Sequence, residues 1–109
     1  MPPVTDPCHH RAVLRHIVLF SFRPDVSAAE RAAILGAIRG LKADVPALRS
    51  LEMGENGSPA RAQGYTHVLI ETFDDRAGLS EYATHPAHVP VLERLRAAAA
   101  QLLAVDLQV

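Results

Sequence analysis

The chain has 109 residues, 49% hydrophobic and 21% charged, enough for one core burying about two thirds of the unfolded surface and too apolar for intrinsic disorder. Eleven basic residues against twelve acidic leave a formal net charge of -1, which argues against nucleic acid and anionic membranes as partners and leaves small neutral ligands and proteins. No apolar run reaches the roughly 18 residues of a membrane helix and no secretory pattern opens the chain, so a cytoplasmic protein is expected; the single cysteine, Cys8, excludes an internal disulfide.

Residues 1–12 contain three prolines and read as a disordered arm before a single domain over 13–109. Cys8, His9 and His10 are too close in sequence to close a tetrahedral metal shell alone. The first strand is expected from Val13 to Phe22, with His16, Val18, Phe20 and Phe22 on one face and Ile17, Leu19 and Ser21 on the other. Both faces are largely apolar, so helices must cover one and a second subunit the other. Ser27 and Glu30 form a capping box that starts a helix running to about Asp44. Ile34, Ile38 and Leu41, with Leu35 beside them, make its core stripe, and Gly36 and Gly40 suggest close packing at a cost of about 1 kcal/mol each.

Leu48 to Gly54 reads as a second strand, followed by the turn-forming run Glu55 to Pro59. The third strand, Tyr65 to Phe73, puts Tyr65, His67, Leu69, Glu71 and Phe73 on one face. Asp74 or Asp75 caps a short helix through Tyr82, and His85-Pro86 interrupts the chain. Pro90 fits only near the start of the next helix, which places His88 at its first turn, with Ala97 to Ala100 still helical. Leu103 to Val109 alternates as a last strand. The order βαββαβ gives an α+β, ferredoxin-like fold with a four-stranded antiparallel sheet and helices on one face.

The segments HIVLFSF, GYTHVLIETF and YATHPAHVPV, in this order, resemble the stress-responsive dimeric α/β-barrel (Dabb) family over about Arg15 to Val109. The resemblance implies a homodimer in which two sheets pair into a barrel, covering the second apolar face. Within that family the similarity extends to a plant polyketide cyclase acting by intramolecular aldol condensation. It implies Tyr82 and His88 as catalytic residues and His16, His67 and His85 as supporting, ligand-binding ones. Leu35, Ile38 and Leu69 join them in a pocket for a small hydrophobic or polyketide-like ligand, with Leu35, Ile38 and Ala99 standing where the plant enzyme has helix aromatics. In that reading His88 removes a proton next to a ketone while Tyr82 steadies the enolate. The alternative is a non-catalytic stress-responsive or ligand-binding dimer. Four histidines could hold a metal, but the proline between His85 and His88 breaks helical ligand spacing and no glycine-rich phosphate loop follows a strand, so neither metal nor cofactor is expected.

Overall fold

Strand β1 (Leu14–Phe22) is central: it pairs antiparallel with β3 (His67–Phe73) on one edge and with β4 (Ala99–Gln108) on the other. Strand β2 (Ser50–Glu55) joins beyond β3, giving the order β2-β3-β1-β4. Helices α1 (Ala28–Asp44), α2 (Arg76–Thr84) and α3 (His88–Ala98) supply the crossovers. This computed structural model describes residues 13–109; the expected arm, with Cys8, His9 and His10, lies outside the described residues. Among the described residues no helix is long and apolar enough to cross a membrane.

Each helix begins where a side chain captures a free backbone N–H or where none is needed. Ser27 Oγ accepts the Glu30 N–H at 3.1 Å and Asp75 Oδ1 accepts the Gly78 N–H at 2.8 Å. Only the serine half of the expected capping box forms, because the Glu30 carboxylate is drawn across to Arg94 of α3, whose Nε and Nη2 donate to it at 2.8 and 2.7 Å. Pro90 sits within the first turn of α3, where its missing N–H has no partner to lose. The end of α3 departs from expectation, since Ala99 and Ala100 already belong to β4. Arg23 of the β1–α1 loop stops the helix there: its backbone N–H donates to the Ala98 carbonyl at 2.9 Å and its guanidinium to that of Ala97, satisfying carbonyls that another turn would have used.

The helix-facing side of the sheet carries the core. Phe20, Phe22, Val18 and Leu69 pack against Ile34, Ile38 and Leu95, and a second cluster gathers Leu41, Val45, Leu48, Phe73 and Tyr82. Gly36 and Gly40 are not packing positions, contrary to the expectation: a Cβ built at either meets nothing within 4 Å. Among the described residues no helix lies on the opposite sheet face. There Ile17 pairs with Val105 and Ile70, Leu19 with Leu103 and Val68, and Arg15 with Leu107. Leu103, Val105, Leu107 and Val109 are 44–48% exposed, a continuous apolar stripe far larger than scattered surface residues produce.

Candidate functional site

Strand alternation sends His16 and Glu71 to the helix-facing side as directly opposed partners on β1 and β3. Glu71 is 1% exposed, a carboxyl under a layer of aliphatic side chains. Its partner comes from α2: Tyr82, itself buried against Phe73 with ring centroids 5.1 Å apart, donates its O–H to Glu71 Oε2. His88, the first residue of α3, lays its ring against Tyr82 at a centroid distance of 4.1 Å. His88 Nδ1 lies 3.2 Å from the Ala83 carbonyl oxygen. A carbonyl only accepts, so Nδ1 carries the proton and Nε2 keeps its lone pair. His16 in turn holds Asp106 of β4, Nδ1 to Oδ1 2.6 Å, and Arg76 lies 3.6 Å from the other oxygen of that carboxylate.

His16, Glu71, Tyr82 and His88 line one cavity of about 300 Å³ between the sheet and the helices. Val18, Ile38, Leu41, Leu69, Leu95 and Leu102 make much of its wall, and the polar groups in it are His16, Glu71, Tyr82, His88 and Arg96. Of the expected residues, Tyr82, His88, His16, Ile38 and Leu69 share this space. His67, His85 and Leu35 do not. His67 stacks on Phe20 (centroids 5.1 Å, planes 10° apart), meets Phe22 edge-on, and has Thr66 Oγ1 2.9 Å from its Nδ1. It borders a separate depression with Leu35, Arg39, Met53 and Glu55. His85 is a junction residue: its Nδ1 accepts the Ala87 N–H at 3.0 Å and its carbonyl accepts from the N–H groups of His88 and Val89 at 2.9 and 3.1 Å. The four histidines thus occupy three environments. Sequence reasoning missed Glu71 as a site residue; the available signal was a carboxylate between Leu69 and the buried Phe73 on the core-facing side of β3.

The environment tunes each group. Burial pushes the Glu71 carboxyl above its ordinary range, opposed by the Tyr82 hydrogen bond and by His16. Burial, then the charge of Glu71 and the bond to it, push Tyr82 far up, so it remains a phenol and never serves as a base. Burial depresses His88, against the pull of the Ala83 carbonyl and with help from the positive charges of His16, Arg96 and His85. A neutral imidazole with an unprotonated Nε2 therefore lines an aliphatic cavity beside a neutral phenol. Such an imidazole can accept a proton from a weakly acidic carbon, while the phenol's own proton is held by Glu71.

Residues 14–109 match the sequence profile of the family described as the stress responsive A/B barrel domain. The chain is 30% identical over 77 residues to the stress-response A/B barrel domain-containing protein HS1 of Arabidopsis thaliana, covering 70% of this chain and 71% of that protein. It is 25% identical over 77 residues to olivetolic acid cyclase of Cannabis sativa, covering 70% and 76%. Among solved structures, a dimeric ferredoxin-like protein of unknown function from Thermobifida fusca is similar with a TM-score of 0.78 and 25% identity, over 92% of this chain and 93% of that one.

Proposed function

The chain belongs to the stress-responsive A/B barrel domain family, and from that premise we propose that it is a homodimer whose cavity holds a hydrophobic, ketone-bearing ligand and promotes an intramolecular aldol-type condensation on it. The observation that carries this reading is the pairing of Tyr82 with His88 in the lining of the aliphatic cavity, with the Ala83 carbonyl holding the proton on His88 Nδ1 and leaving Nε2 its lone pair. In the reaction, Nε2 takes a proton from the carbon between two carbonyls of a polyketide-like chain. The resulting enolate carbon attacks a further, more distant carbonyl of the same chain, and the imidazolium returns its proton to the new alkoxide, so the ring closes with no atom gained or lost. In this proposal Tyr82 steadies the developing enolate by donating its O–H to the enolate oxygen. The similarity to olivetolic acid cyclase supports this class of chemistry. The test is turnover of a synthetic poly-β-ketone: His88→Ala is expected to lower the rate by about 10² to 10⁴, as for other acid–base groups. Unchanged turnover in that variant removes the catalytic reading.

A second copy covers the bare sheet face in this proposal. The apolar stripe through Leu103, Val105 and Leu107 supports it, as does the dimeric state of the similar Thermobifida fusca protein. Val105→Glu is expected to yield monomers in sedimentation, because two carboxylates would meet across that face. One observation favours the alternative of a ligand-binding dimer without chemistry: the Tyr82 O–H is already donated to Glu71, which leaves the resting cavity without a free phenol donor. Under that alternative, His88→Ala weakens ligand binding and no turnover is found in the wild type.

A further inference from the structure

Glu71 is the buried ionisable side chain to which the aldol chemistry assigns no role. Its carboxyl lines the same cavity as His88, is 1% exposed, and takes the hydrogen bond of the residue that would steady an enolate. A phenol has one proton to donate. While that proton goes to an ionised Glu71, Tyr82 offers only lone pairs to the cavity, and a ketone oxygen placed there meets lone pairs rather than a donor. If Glu71 carries a proton, its own O–H can donate to the Tyr82 oxygen and the phenol proton turns toward the ketone.

We propose that Glu71 is a positioning residue whose carboxyl takes up a proton when a ketone binds, so that Tyr82 redirects its O–H from Glu71 to the ligand. The inference rests on the ketone reading of the cavity and deepens it by naming what controls the donor. The surroundings favour such a swing. From β2 the register partner of Glu71 is the apolar Leu51, from α2 comes the neutral Tyr82, and from α3 come the neutral His88 and the cation Arg96. From β1, His16 faces Glu71 while holding Asp106 of β4, and its positive charge works against protonation. Burial works for it more strongly. Filling the cavity with an apolar ligand excludes water and pushes further in the same direction.

The test is calorimetric titration of the full chain with octan-2-one in buffers of different protonation enthalpy, between about pH 5 and pH 8. Net uptake approaching one proton per ligand is expected, with affinity falling up to about tenfold per pH unit above the carboxyl's own titration. The sign identifies the group, because burying His88 under a ligand releases a proton. Glu71→Gln is expected to bind with no uptake and a flat pH profile. If that variant does not fold, the side-chain carboxyl carbon of Glu71, followed by NMR in the wild-type chain, must move toward its protonated position as octan-2-one saturates the cavity. Binding without uptake in the wild type, uptake retained in Glu71→Gln, or a Glu71 carboxyl signal that does not move on binding overturns the inference while leaving the ketone reading standing. Absence of binding at every pH overturns both.

Discussion

His67 and Glu71 lie on the same strand and point to the same side of it, yet one end of that row is a stack of rings and the other opens on a cavity. The difference is made by what covers them. Beside His67 on the neighbouring strand stand Phe20 and Phe22, and its ring is one more aromatic in that stack, bordering the separate depression with Leu35 and Met53. Over Glu71 the cover is α2 and α3, and the turn at His85 and Pro86 separates them while His88 and Tyr82 face inward. Strand periodicity therefore assigns a residue to a layer, and the connection between two helices decides whether that layer becomes a site.

The sharpest way to break this comparison is to disturb the polar pair at the cavity end. Tyr82→Phe keeps the packing on Phe73 but leaves Glu71 buried without its hydrogen bond, which is expected to cost about 1 to 3 kcal/mol in denaturant unfolding. Combining it with Glu71→Leu is expected to restore most of that loss, since removing both partners leaves no unsatisfied group. His67→Phe, at the stacked end, is expected to change stability by less than about 1 kcal/mol, because one flat ring replaces another. Equal losses at the two ends would mean that the polar pair has no special standing.

Helix α1, which packs over both ends, provides a calibration of intermediate size. Gly36→Ala and Gly40→Ala fill open space on its outer side, and each is expected to stabilise the fold by about 0.4 to 1 kcal/mol. A loss at either position would reveal packing there that the monomer does not contain.

The smallest expected effect is the acid dependence contributed by His67. Burial depresses its ring below the ordinary value of 6.5, opposed by Glu55 and aided by Arg31. The unfolded chain therefore takes up the proton first: stability is complete above 6.5 and declines as pH falls through the depressed folded value. His88 acts with the same sign. Glu71, raised by burial, acts with the opposite one, adding stability as pH falls through its folded value toward 4.5. Melting curves of His67→Phe are expected to show a shallower acid slope than the wild type; an unchanged slope would assign all of it to His88.

What the sequence disclosed about this molecule was its periodic part. Alternation in β1 and β3 and the stripe of Ile34, Ile38 and Leu41 are local patterns, and they place the helix-facing core and the bare apolar face correctly. The stop of α3 at Ala98 was not legible, since four alanines suit a helix and only the distant Arg23 ends it. The same limit applies to the cavity. That His16 and Tyr82 share a space while His67 does not depends on ring packing from Phe20 and Phe22, and the pairing of Glu71 with Tyr82 depends on where α2 crosses β3.

The central claim, that the cavity under Tyr82 and His88 holds the ligand, is tested most directly by NMR of the histidine rings and aliphatic methyls of the full chain during titration with octan-2-one near neutral pH. The ring signals of His88 and the methyls of Ile38 and Leu69 are expected to shift together and saturate, while His67 stays in place. Shifts confined to His67, Leu35 and Met53, with His88 silent, would put the ligand at the other end of the strand and contradict the claim.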